Sequence, residues 1–116
     1  TYPHRREGLT ERLSLAKIGK MTFFTPDMET FPLLGLAFSA ISDGGAVPAV
    51  LNAANEVAVD AFLKEKLSFL GISDVVGETV ERLSHEARSS CTLEERIAMD
   101  RRAREIAKTA LASVRI

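Results

Sequence analysis

The stretch from Val47 to Lys66 constrains the fold more than any other, because as a helix it presents two unlike faces. On a helical wheel, Val47, Val50, Leu51, Ala54, Val57, Ala58, Ala61 and Phe62 form one broad apolar face. The opposite side carries Asn52, Asn55 and Glu56, interleaved with Val59 and Leu63. A solvated face does not normally mix polar and branched apolar residues in this way, so the helix is expected to be covered on both sides. Amides and a carboxylate held there need defined partners. The expectation is that Asn52 or Asn55 bonds to backbone of residues 15–30, and that Glu56 is capped by N–H groups or a basic side chain. Small residues at Ala53, Ala54, Ala58 and Ala61 let neighbouring helices approach closely.

The flanking sequence supplies more helices. Asp27 or Thr30 is placed to cap a first one, with Pro32 in its opening turn, where a missing N–H costs nothing. Leu33, Leu34, Leu36, Ala37, Phe38, Ala40 and Ile41 follow, and Asp43-Gly44-Gly45 ends the run as a plain C-cap and turn. A third helix is expected from about Asp74 to Ser84, capped by Ser73. The fourth opens on Thr92-Leu93-Glu94-Glu95, a capping box, and carries Leu93, Ile97, Ala103, Ile106, Ala107, Ala110, Leu111 and Val114 as its apolar stripe. Residues 1–20 are polar and basic, broken by Pro3, Gly8 and Gly19, and Met21-Thr22-Phe23-Phe24 has extended character up to Pro26. The fold class expected is mostly α: a compact antiparallel bundle of about four helices over 27–116, preceded by an extended arm over 1–26.

At 116 residues there is room for one domain. A net charge of −1 gives no electrostatic reason to expect nucleic acid or an anionic membrane as partner. No apolar run approaches the roughly 18–20 residues that span a bilayer. The single cysteine, Cys91, excludes an internal disulfide. The opening residues include no initiating Met and no signal-peptide core, which suggests a piece of a larger protein.

Candidates for chemistry are few. His4 and His85 have no second ligand at metal spacing, and Cys91, six residues past His85, matches no zinc pattern. Cys91 also lacks an adjacent base. Arg96, Arg101, Arg102 and Arg104 alternate with Glu94, Glu95, Asp100 and Glu105, the pattern of a solvated ion-pair face rather than a nucleic-acid surface. Gly35, Gly44, Gly45 and Gly71 lack the spacing of a dinucleotide fingerprint. No catalytic, cofactor-binding or metal residue is therefore assigned. The polar group Asn52, Asn55 and Glu56 remains, with a structural role favoured over contact with a catalytic centre.

Phe23-Phe24-Thr25-Pro26-Asp27, Phe31-Pro32-Leu33-Leu34-Gly35-Leu36-Ala37 and above all Leu51-Asn52-Ala53-Ala54-Asn55-Glu56 closely resemble the C-terminal region of 1-deoxy-D-xylulose 5-phosphate reductoisomerases. Leu15-Ala16-Lys17-Ile18-Gly19-Lys20 and Ala103-Arg104-Glu105-Ile106-Ala107 fit the same family in the same order, while residues 5–14 match it least. The resemblance implies a domain of isoprenoid precursor synthesis. In that family a Rossmann-type domain binds NADPH, and a central domain supplies the acidic ligands for Mg or Mn and the phosphate-binding groups. The helical C-terminal domain supports the catalytic one. It implies, further, that the partners are those missing domains of the same polypeptide, in a homodimer that is cytoplasmic in bacteria or plastid-located in eukaryotes. No cofactor, nucleic acid or membrane is expected for this stretch alone. The rival reading is a stand-alone helical interaction module, which the gene sequence upstream of Thr1 would distinguish.

Overall fold

The computed structural model describes residues 2–4, 8, 10–90 and 92–114. Among them are five helices and no strand: α1 (Leu15–Ile18), α2 (Pro32–Asp43), α3 (Val47–Leu63), α4 (Phe69–Ala87) and α5 (Leu93–Leu111). The four long helices pack as a bundle. Central α3 meets α2, α4 and α5, α4 also meets α5, and α2 reaches only α3 and α4.

Small side chains set the spacing at the centre. Ala53, Ala54, Ala58 and Ala61 of α3 are buried, as are Met99, Ala103, Ala107 and Ala110 of α5. Alanines on both helices let their backbones approach closely, while Val47, Val50, Val75, Val76 and Leu83 supply bulk. The expected stripe on α5 is corrected at its start, since Leu93 and Ile97 lie before this alanine seam and stay exposed.

The turn between α2 and α3 is a contact in its own right. Gly44 closes α2 with φ +72°, its N–H donating to Ala40 O at 3.2 Å. Gly45, at φ +56°, lies against the end of α4: a Cβ there would sit 2.4 Å from Ala87 O and 2.5 Å from Arg88 O. The Ala46 N–H then donates to Ala87 O at 2.8 Å, and Arg88 pairs with Asp43 at 2.9 Å.

Four helix boundaries differ from the sequence expectation, one of them the end of α4 at Ala87 rather than Ser84. Helix α2 starts from Phe31 without a side-chain cap. Asp27 instead holds the preceding turn, its Oδ1 accepting from Glu29 N and Thr30 N at 3.0 and 2.9 Å. These bonds hold its carboxyl below the usual range, the Thr30 side chain first and its N–H next. Helix α3 stops at Leu63 rather than Lys66, through a Schellman motif in which Lys66 N–H bonds Ala61 O and Glu65 N–H bonds Phe62 O, both at 2.9 Å. Glu65 occupies the positive-φ position (57°) where glycine is usual, so no glycine marks the end.

Helix α4 begins five residues before the expected Asp74, with Ser68 as its cap in place of Ser73, Ser68 Oγ accepting from Gly71 N at 3.1 Å. Gly71 sits in the first turn, where a Cβ would lie 2.7 Å from Leu67 Cδ1. Buried Leu67 and Ile72 occupy the N′ and N4 positions of a hydrophobic staple. The capping box of α5 forms as expected, with Glu95 N to Thr92 Oγ1 at 3.2 Å and Thr92 N to Glu95 Oε2 at 2.9 Å.

The arm is exposed along its described length except at half-buried Ser14, and it is not wholly extended, because Leu15–Ile18 makes one helical turn closed by Gly19 at φ +72°. With this arm standing off, the radius of gyration is 18.2 Å, against about 13 Å for a compact chain of this length.

Candidate functional site

The three polar residues of α3 do not form one cluster. Asn52 and Glu56, one turn apart, face α5, whereas Asn55 faces a cleft between α2 and α4.

On the α5 side, Asn52 Nδ2 donates to Glu56 Oε1 at 2.9 Å, and Arg104 Nη2 donates to Glu56 Oε2 at 2.8 Å. Arg104 also donates from Nε and Nη2 to Asp100, at 2.9 and 3.2 Å. Both oxygens of Glu56 are thus occupied, and the guanidinium bridges two carboxylates on two helices. The Arg104 bond, followed by that from Asn52, holds the Glu56 carboxyl below its usual range. Asp100 and Glu56 in turn push the Arg104 pKa up, away from neutrality. Such a carboxylate is a poor general acid or base, since the ionised form is the one being stabilised. The group is a clasp between α3 and α5. It supplies the basic side chain expected for Glu56. The expected bond from Asn52 to the arm is replaced by the local one, because Asn52 and Glu56 meet at i,i+4.

Asn55 is half-buried, and its side-chain amide hydrogen-bonds neither the arm nor any other described residue. It lines an apolar cleft of about 270 Å³ with Phe31, Pro32, Leu33, Val59, Phe69, Leu70 and Ile72, where Thr30 and Ser73 are the other polar residues. Leu63 is 73% exposed. The second face of α3 is therefore only partly covered within this chain, against the expectation of cover on both sides.

The remaining candidates lie apart. His4 and His85 are exposed, and Cys91 falls outside the described residues. Arg102 pairs with Glu86 at 2.6 Å on the surface, as an ion-pair face requires. Among the described residues, no three His, Cys, Asp or Glu side chains come together as a metal site would need, and no glycine loop joins a strand to a helix. These residues fit neither a divalent metal nor a dinucleotide. Among the described residues, no helix is long and apolar enough to cross a membrane.

The model of the DXP reductoisomerase C-terminal domain matches residues 1–106. The chain belongs to that family. The 1-deoxy-D-xylulose 5-phosphate reductoisomerase of Chlorobium chlorochromatii is 51% identical over 111 residues, covering 96% of this chain and 28% of the relative. That of Chlorobium limicola is 53% identical over 107 residues, again covering 28% of the relative. The solved reductoisomerase of Zymomonas mobilis in complex with NADPH superposes with a TM-score of 0.80 at 42% identity, over 97% of this chain and 29% of that one. A second solved DOX-P reductoisomerase, in complex with magnesium, gives a TM-score of 0.82 at 31% identity and 97% coverage of this chain. The chain spans less than a third of the length of these relatives. Family membership displaces the reading of an unrelated interaction module.

Proposed function

We propose that this chain serves as the helical C-terminal domain of a polypeptide that converts 1-deoxy-D-xylulose 5-phosphate into 2-C-methyl-D-erythritol 4-phosphate. In this reading, residues 1–26 connect it to the NADPH-binding and metal-binding domains, and residues 27–116 are the bundle. The observation that carries the reading is the family match over residues 1–106, joined to a bundle whose strongest polar cluster is spent on its own packing. NADPH, which would supply the hydride, and a divalent metal, which would supply the Lewis acid, belong to the rest of the polypeptide. This chain's residues contribute no step through either group. Their work is to hold α3 and α5 in register and to present a fixed surface to the catalytic domain. Assembly of the whole protein as a homodimer, in the cytoplasm or a plastid, is part of the same proposal.

The test compares the complete polypeptide with this chain alone. The complete polypeptide is expected to consume NADPH in the presence of substrate and magnesium. Calorimetric titration of the 116-residue chain with NADPH is expected to show no stoichiometric micromolar isotherm. A chain that binds NADPH tightly by itself, or a complete polypeptide without turnover, refutes the proposal.

A further inference from the structure

Helix α2 is apolar on two opposite sides, and only one of them is covered. Its inner side places Leu33, Leu36 and Ala40 against the bundle. On the other side, Phe31, Leu34, Phe38 and Ile41 recur at heptad-like spacing, and Phe31, Phe38 and Ile41 are 57–71% exposed. No charged residue occurs between Phe31 and Ser42. A helix that is hydrophobic all round belongs inside a larger body or a membrane. At 12 residues α2 cannot span a bilayer. The exposed stripe continues through Phe31 into the apolar cleft and on to Phe69 and Leu70, which are 66% and 72% exposed. The outer side of α5 is unlike this surface, being populated by Arg101, Arg102, Glu105 and Lys108.

We infer that the outer face of α2 and the adjoining cleft form one docking surface, and that its occupant is an uncharged apolar face on the preceding part of the same polypeptide. The inference rests on the functional reading above, in which some 70% of the protein lies before this bundle, as the relatives' lengths indicate. The position of the arm selects that occupant over a second copy. The arm enters α2 at Thr30 and Phe31, which are themselves walls of the cleft, so the tethered body is held beside this surface. A short tether raises the local concentration of its cargo to the order of millimolar, with which a free second copy does not compete. The surface is also charge-free, as permanent interfaces are at their centres, and an uncovered patch of this kind favours aggregation. Asn55 is the one amide in the cleft, placed to meet a backbone group of the docked segment.

The experiment uses the complete polypeptide and the double variant Phe38→Ser/Ile41→Ser, with Leu70→Ser as a second site and Phe38→Leu/Ile41→Leu as the apolar control. The parent is expected to unfold in one calorimetric transition and to resist trypsin at Lys17 and Lys20 of the arm. In the double variant, and less strongly in Leu70→Ser, cleavage at those lysines is expected to quicken at least tenfold and the transition to split in two. The leucine control should behave as the parent. Because all three positions are exposed within the bundle, an intact bundle should survive as a trypsin-resistant helical fragment. Unchanged cleavage with a single transition in both serine variants overturns the proposal. So does a change from dimer to monomer on gel filtration with cleavage unchanged, which would assign the surface to a second copy. If the parent lacks NADPH-dependent turnover, the functional reading fails while the cleavage comparison still decides the docking surface.

Discussion

Replacing Gly45 by alanine tests whether the bundle is closed by backbone contact rather than by side chains. Three costs meet at this position. An L-residue at φ +56° costs about 1–2 kcal/mol relative to glycine. The new Cβ would then sit 2.4 and 2.5 Å from the carbonyl oxygens of Ala87 and Arg88, and these are backbone atoms that no rotamer change can remove. The α2–α3 turn must therefore lift away from the end of α4, which breaks the Ala46 N to Ala87 O bond of 2.8 Å. Ala46 is 1% exposed, so its N–H is left without water, at about 1–3 kcal/mol. The expected total is about 3–5 kcal/mol, a large fraction of the roughly 5–15 kcal/mol that holds a domain folded.

Gly77 is the matched control. It lies within α4 at ordinary helical dihedrals, and nothing stands within 4 Å of its would-be Cβ, so Gly77→Ala should stabilise by about 0.5–1 kcal/mol. Urea unfolding followed by circular dichroism separates the two. With a slope of about 1–3 kcal/mol per molar, Gly45→Ala should lower the midpoint by roughly 1–5 M and Gly77→Ala should raise it slightly. A Gly45→Ala midpoint within about 0.3 M of the parent refutes the closure argument.

The remaining predictions concern a helix end, the clasp and the cleft. Glu65→Gly relieves a positive φ in a Schellman motif and should stabilise by about 0.5–1 kcal/mol in the same urea assay, provided the motif persists. Glu56→Gln removes a carboxylate whose folded pKa is depressed, so Glu56 contributes stability above the usual value of 4.5 and loses it as pH falls through the lowered one. The parent should therefore exceed Glu56→Gln in thermal midpoint near neutrality, and the difference should vanish in acid; a difference that persists there contradicts the clasp. Asn55→Leu breaks no hydrogen bond within the described residues, so its midpoint in this chain should move by under about 0.5 kcal/mol in either direction. A loss above about 2 kcal/mol would mean that Asn55 has a partner in the fold.

What the sequence made legible follows from how locally each feature is determined. The capping box at Thr92 and the Gly44-Gly45 stop are each encoded within four residues, and both form as read. The helix ends that were misplaced depend on contacts a linear reading does not weigh: Ser68 caps α4 with buried Leu67 lying where a Gly71 side chain would sit, and Glu65 closes α3 in a conformation usually left to glycine. The polar side of α3 shows the same limit. Its three polar residues read as one cluster because they lie within five positions, yet Glu56 lies 100° of helical rotation from Asn55. That rotation sends Glu56 to Arg104, which is 48 residues away, and leaves Asn55 in an apolar cleft. Only the packing of α5 on one flank and of α2 and α4 on the other divides them. The mixture of amides with Val59 and Leu63 reads as cover on a second side, and the bundle supplies only part of it. The sequence pattern is thus that of a helix in a larger assembly, and the exposed faces of α2 and α3 mark where this chain's own packing stops.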